Sequence, residues 1–268
     1  MQGITSSKPI ASVVSARYRD LQHLIEQIPE QFSSMGTVMD NRRNEIRLIE
    51  AGGRKLVVKH YRRIYLPNVI RYSLTSSKAQ KAFENAEYLL SQGFETPDPI
   101  AYIDVRRLGL ITRSYFVSAY SDYRMMHDII TRPVEEVKDL LKAFARFTYS
   151  LHEAGIQHMD YSVGNVLFAI RENEYVFSLI DNNRMKIGPL SKARRIRNFR
   201  QLGLNPEMLT VIGLEYARLS GMDDLYVLQK LFFFKWNFQQ RRSNKRKFKS
   251  LRKQLLSFRT KSLSPCQQ

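Results

Sequence analysis

Cysteine is almost missing from this chain: among its 268 residues only Cys266 carries a thiol. A lone cysteine closes no intrachain disulfide and builds no multi-cysteine metal site, so a reducing cytoplasm is the expected setting. Long apolar runs are missing too. No stretch approaches the roughly 18 apolar residues of a membrane-crossing helix. The opening segment MQGITSSKPIASVVSARYRD lacks the basic and apolar regions of a secretory signal, and none is expected. Acidic residues are scarce, with 25 Asp and Glu against 43 Lys and Arg, a formal net charge of +18.

What is present argues for a folded protein. A hydrophobic content of 43% with 11% aromatics excludes a disordered chain. The length suits one large domain or two lobes with an ample core. The positive charge is concentrated: residues 185–268 hold 19 Lys and Arg against four acids, Glu207, Glu215, Asp223 and Asp224. Such a field either solvates a surface or draws polyanions: nucleic acid, anionic lipid headgroups or phosphorylated substrates.

Periodicity divides the chain. Leu21, Leu24, Ile25 and Ile28 fall at helical spacing within 16–28, with Pro29 as the expected stop. NEIRLIEA (44–51) and RKLVVKHY (54–61) predict two strands turning at Gly52-Gly53. In the first of these, Ile46 and Leu48 alternate with either Ala51 or Ile49. A helix is predicted over 77–92, with Phe83, Ala86, Leu89 and Leu90 inward and Gly93 as its stop. Extended chain follows from TPDPIAYID, and RSYFVSAY (113–120) predicts another strand. From Pro133 to Gly155 a helix presents Val137, Leu140, Leu141, Phe144 and Leu151 on one face. Two short strands, NVLFAI and YVFSLI, flank RENE, and residues 192–258 read as helical and increasingly basic. The expected fold is α+β in two lobes, β-rich first and helical second. The expected divisions are a helical extension over 1–31, lobes over 32–118 and 119–238, and a basic tail over 239–268.

Polar residues cluster where the late hairpin begins and ends. GIQHMDYSVGNVLF (155–168) sets His158, Asp160 and Asn165 ahead of the first strand, and Asp181 follows the second. Strands joined by a tight hairpin lie side by side, so Asn165 and Asp181 are expected as neighbours with Asp160 close by. Asn165 and Asp181 offer two oxygen ligands to a hard Mg²⁺ ion, which fills its other positions with water and phosphate oxygens. Asp160, set apart from the metal, can accept a proton from an attacking hydroxyl. That is the minimum equipment for phosphoryl transfer, where catalysis is mostly positioning and charge neutralisation. Taken singly, each residue has a plainer reading: His158 a hydrogen-bonder shaping the loop, Asp181 a turn former, Lys59 an exposed strand lysine.

The spacing H-x-D-x-x-x-x-N, a hairpin, and an aspartate after an apolar strand resembles the catalytic and metal loops of protein-kinase-like enzymes. His158, Asp160, Asn165 and Asp181 fall on those positions. The wording HMDYSVGN and IDNNRM, with LVVKHYRR upstream, is most similar to the bacterial lipopolysaccharide core kinases, over roughly residues 32–200. The resemblance implies a two-lobed protein-kinase-like fold and an ATP- and Mg²⁺-dependent kinase acting on Kdo or heptose. It implies Asp160 as base, Asn165 and Asp181 as metal ligands, and Lys59 on the ATP phosphates. An orienting glutamate for Lys59 is expected on the 77–92 helix, Glu87 being favoured over Glu84. The stretch 118–123, SAYSDY, stands where a hinge would offer its backbone to adenine.

Two parts of the family pattern are missing. MGTVMDNRRNE holds only Gly36 where a glycine-rich phosphate cover is expected, which leaves backbone amides or Arg42 and Arg43 for that contact. Asn182-Asn183 stands where a Phe-Gly pair would follow the metal aspartate. Beyond the lobes, QQRRSNKRKFKSLRK (239–253) carries eight basic residues and no acid, just after Phe233, Phe234, Trp236 and Phe238. Rings beside basic residues suit an anionic membrane surface or single-stranded nucleic acid, unless LFFFKW is simply core. A lipid-linked acceptor favours the membrane, so the expected partners are a lipid A precursor and the inner face of the cytoplasmic membrane.

Overall fold

Gly52 (φ 57°) and Gly53 (φ 71°) turn β3 (Glu45–Ala51) back onto β4 (Arg54–His60). A two-residue hairpin of this hand needs positive φ at both positions, and glycine accepts it without strain. The computed structural model describes residues 10–62 and 75–261. Around that hairpin lies a six-stranded antiparallel sheet, completed by β1 (Ile10–Val14), β2 (Thr37–Asp40), β5 (Pro99–Arg107) and β6 (Leu110–Ala119). Its order is β1-β5-β6-β4-β3-β2. The N-terminal extension therefore does not stand apart, because β1 pairs with β5 as an edge strand of this sheet.

Alternation along the strands gives the sheet two working faces. Ile49, Leu56, Val58, Ile103, Tyr115 and Val117 are buried on one, against Leu21, Ile25, Ile28 and Phe32. These last belong to a 3-10 turn (Ala16–Leu21), to α1 (Gln22–Gln31) and to the residue after it. Ile49 thus takes the core side, while Ile46 pairs with Lys59 on the other face. Pro29 does not stop α1 but lies inside its last turn. There the ring removes the hydrogen bond its missing N–H would have donated and crowds the Ile25 carbonyl, and its burial offsets part of that cost. The Lys59 face also presents Phe116 and Tyr102, and Phe83 of α2 (Lys78–Ser91) meets the Tyr102 ring edge-on at 5.6 Å. Ser77 caps α2 by accepting from Gln80 N at 2.9 Å.

The second lobe packs α3 (Val134–Glu153) against α5 (Pro206–Ser220) and α6 (Asp224–Lys261), with the short α4 (Lys192–Asn198) lying on α6. Leu140, Leu141 and Phe144 share one core with Ile212, Tyr216, Val227 and Leu231. His152 is sealed in this core with Nδ1 2.8 Å from the Tyr216 hydroxyl, and burial holds its pKa down at about 3. Short strands line the lobe's upper edge: β7 (Arg124–Met125), β8 (Ile156–His158), β9 (Val166–Arg171), β10 (Glu174–Leu179) and β11 (Met185–Ile187). The β9–β10 turn is tighter than RENE implied, because Arg171 and Glu174 pair and only Glu172 and Asn173 remain, both at positive φ.

α6 runs through residue 238 unbroken, so the basic tail continues the last core helix. LFFFKW is split between two environments: Leu231 is sealed, whereas Phe233 and Trp236 are 55% and 58% exposed. Cys266 lies outside the described residues.

Candidate active site

The β9–β10 ladder closes at Val166 and Leu179, so Asn165 and Ile180 stand side by side where the strands end. Ile180 N donates to Asn165 O at 3.1 Å. The next residue, Asp181, adopts φ 62°, an uncommon backbone for a residue with a Cβ, and swings the chain out of the strand. A second ladder joins the two loops, Met185 pairing with His158 and Met159 N donating to Arg184 O at 2.8 Å. The sequence placed Asp160, Asn165 and Asp181 together, and they share this floor.

Buried side chains hold the floor in shape. His158 is sealed, its pKa lowered to about 4 by burial, and its Nε2 lies 3.2 Å from Ile180 O. A neutral ring with its proton on Nε2 donates to that carbonyl and ties the His158 loop to the strand entering Asp181. Tyr161 shares a 2.8 Å hydrogen bond with Thr148 of α3. Asn165 Nδ2 donates to Asp160 O at 2.8 Å. Its Oδ1 accepts nothing from the described residues and is available to a cation.

From the sheet, Lys59 reaches down and pairs with the Asp181 carboxylate, linking the lobes. Burial lowers its pKa to about 8; the charge of Arg43 adds to the shift, and Asp160 and Asp40 oppose it. Lys78 is likewise lowered, first by burial and then by Arg43 and Arg184. Four cations therefore surround two carboxylates, Asp160 and Asp181, in a cleft between lobes. Such an arrangement holds a polyphosphate by charge.

Two expectations do not hold as drawn. Neither Glu87 nor Glu84 meets Lys59: both are exposed, and Glu84 accepts from Gln80 Nε2 at 2.7 Å. The reason is rotation of α2. Ala82, Phe83, Ala86 and Leu89 are inward, and Asn85 and Glu87 flank that face about 200° apart at 100° per residue. The flank turned to the second lobe belongs to Asn85, which donates to Asn182 O at 2.6 Å. The single glycine upstream serves the sheet, and the contact left to Arg42 and Arg43 falls to Arg43 alone. At Gly36 (φ 55°) a Cβ would collide with the Leu48 carbonyl. In the turn after β2, Arg42 is bound to Asp40 at 2.9 and 3.2 Å, so of the two arginines only Arg43 acts on Lys59.

Sequence reasoning missed Asn85, the buried Asn182, which donates to Thr96 Oγ1 at 2.8 Å, and Gln201, which donates to Met159 O at 2.8 Å. An asparagine two residues past an apolar strand was the one visible signal; the other two depend on chain brought in from elsewhere. Between β6 and β7, residues 120–123 form an extended link, anchored by Tyr120 N on Lys55 O at 2.9 Å.

An antiparallel sheet with one helix on its inner face, set over a helical lobe whose rim carries this loop pair, is the protein-kinase-like fold. The sequence pattern of the lipopolysaccharide kinase (Kdo/WaaP) family matches residues 36–212, and the chain belongs to that family. It is a phosphotransferase of the lipopolysaccharide kinase type, and its co-substrate is ATP. A solved structure described as WaaP in complex with acyl carrier protein is similar to it, with a TM-score of 0.59. The two are 17% identical over 88% of this chain and 98% of that one, a likeness of fold alone. No curated protein sequence matches the chain.

Proposed function

We propose that this kinase transfers the γ-phosphoryl of ATP to a sugar hydroxyl of the lipopolysaccharide inner core, on Kdo or heptose. The observation that carries the reading is the convergence of Asp160, Asn165 and Asp181 on one floor beneath Lys59. Asp160, half-buried and facing the cleft, accepts the proton of the attacking hydroxyl. Lys59 offsets phosphate charge, and Arg43 and Arg184 add to the same field. His158 stays neutral and holds the loop rather than moving a proton.

The donor set fits Mg²⁺. Asp181 supplies a carboxylate and Asn165 a free amide oxygen, hard ligands of the kind this ion takes. No cluster of three or more His, Cys, Asp or Glu suited to a metal occurs among the described residues. The ion would therefore share these two side chains with water and phosphate oxygens. When bound, it would supply charge neutralisation to the phosphates of the nucleotide.

Two features support a sugar acceptor. Ser162 stands two residues after Asp160, where a small side chain leaves room beside the transferred group. The basic last third suits an acceptor that already bears carboxylates or phosphates. Purified protein with ATP and Mg²⁺ is expected to label Kdo-bearing lipid A and to leave a mixed peptide array blank. Peptide labelling with no transfer to any Kdo or heptose acceptor overturns the sugar reading and spares the kinase.

The same reading puts the protein on an anionic membrane. Leu225, Phe233, Trp236, Phe248 and Leu251 are all exposed on α6. At 100° per residue they share an arc of about 140°, opposite the sealed Val227 and Leu231. Deleting residues 239–268 is expected to weaken binding to phosphatidylglycerol vesicles, and salt to weaken the full chain's binding. Equal vesicle binding with and without these residues removes the membrane from the proposal.

A further inference from the structure

A pocket of about 520 Å³ opens between residues 200–206 and α6. Its inner wall is the back of the loop that carries Asp160. Gln201 donates to Met159 O at 2.8 Å, and a Cβ at Gly203 would lie 3.8 Å from the Val163 side chain. The 200–206 segment and that loop together separate the pocket from Asp160. The nucleotide phosphates have their own cations on the sheet side, at Lys59 and Arg43, so this pocket is spare for them.

Its chemistry is two-sided. Leu202, Leu204, Phe232, Trp236 and Phe238 supply an apolar wall, and Arg200, Lys235 and Arg242 supply the charge. No carboxylate lines it. Lys235 is committed inward, its Nζ donating to Leu202 O at 3.1 Å and Leu204 O at 2.8 Å. The guanidiniums of Arg200 and Arg242 both lie against the Phe238 ring, at 5.9 and 5.6 Å. Arg200 donates to Arg197 O at 2.9 Å, and neither Arg200 nor Arg242 has a carboxylate partner among the described residues. Burial lowers the pKa of Arg200, and the neighbouring Arg197 lowers it further. Two like charges drawn to one ring repel each other, and an anion bound by both would offset that repulsion. An apolar wall beside it has no use for inorganic phosphate or a bare sugar, but it accommodates alkyl chain.

We propose that this pocket is the acceptor subsite of the kinase. Arg200 and Arg242 hold a phosphate of the glycolipid, and the apolar wall takes the first carbons of its acyl chains. The sugar then extends past Gln201 toward Asp160. The assignment of the pocket to the acceptor rests on the sugar-kinase reading above; its affinity for an acylated phosphate does not.

The chain's one tryptophan, Trp236, lines the pocket at the border of the exposed α6 arc, so its fluorescence reports lipid at either place and the Arg242→Gln variant, altered in the pocket only, separates the two. Lysophosphatidic acid, titrated below its micelle concentration into the full-length protein, should shift Trp236 emission to the blue and saturate. Uncharged monoacylglycerol should bind about tenfold more weakly, and Arg242→Gln should cost the phospholipid a similar factor. Arg242 is exposed, so that variant removes charge without disturbing the core. In turnover, Arg242→Gln and the Arg200→Gln/Arg242→Gln pair should raise KM for Kdo-bearing lipid A about tenfold. KM for ATP should stay unchanged, and so should both constants in Lys138→Gln/Lys192→Gln, two exposed lysines elsewhere on the lobe. A silent Trp236, equal binding of charged and uncharged lipid, or tighter binding of a short oligonucleotide overturns the pocket. An unchanged acceptor KM in Arg242→Gln does so as well. A Trp236 response as described with no Kdo or heptose acceptor labelled leaves the lipid-phosphate site standing and sinks the sugar reading instead.

Discussion

The floor and the wall of the cleft are built by different physics. The floor, from His158 to Asn165 and at Asp181, is a lattice of backbone ladders locked by sealed side chains: His158 on Ile180 O, Tyr161 on Thr148, Asn182 on Thr96. The wall, formed by the turn after β2 and by Lys59, is held by charge. Lys59 leans on Asp181, Arg42 on Asp40, and Arg43 is exposed. A floor with little freedom costs nothing to reorganise when the reaction begins. A wall held by charge is completed by the phosphates it receives, so its strength depends on their charge and on pH.

The largest effect expected from this contrast lies on the floor. Asp160→Ala and Asp181→Ala should each lower turnover by about a thousandfold, with the melting temperature little changed because both carboxylates face the cleft. Only Asp181→Ala should also lose metal-dependent nucleotide binding, measured by calorimetry with and without Mg²⁺. Wild-type turnover in both variants would show that the floor is not where chemistry happens.

The wall should respond more gently, and to pH. Lys59→Met is expected to raise KM for ATP by about tenfold or more. In the unaltered protein, KM for ATP should climb as pH rises through about 8, where the buried ammonium loses its proton, well below an ordinary lysine. Lys59→Arg, charged throughout, should flatten that profile. A rise that persists unchanged in the arginine variant assigns it to another group. The smallest effect is expected at Glu87: Glu87→Gln should leave turnover within about twofold, as for an exposed helix residue. A tenfold loss there would put the expected Lys59 partner back in the site.

This contrast also decided what could be read in advance. His158, Asp160 and Asn165 lie within eight residues, and Asp181 is joined to them by a hairpin whose strands are visible as two short apolar runs. Local pairing alone brings them together. Lys59 could be found because it sits in a valine-rich strand. That no glutamate of α2 reaches it could not be found, since α2 is positioned by packing of Phe83 on Tyr102 and of Leu89 in the second lobe's core, both contacts distant in sequence. Ile10–Val14 was missed for the same reason. Five residues of strand take meaning only from the edge of β5 that they cover.

The amino-acid order by itself determined the long helices and the hairpin strands, the α+β division and the loop with its three polar side chains, because these follow from periodicities of two and 3.6 residues and from short-range turns. Tertiary structure alone decided three things. It rotated Glu87 away from Lys59, set Gly36 against the Leu48 carbonyl of the neighbouring strand, and split the aromatic run of α6 between core and surface. Each is a question of which side of an element faces its neighbour. That is settled by the summed packing of distant chain, which no local pattern records.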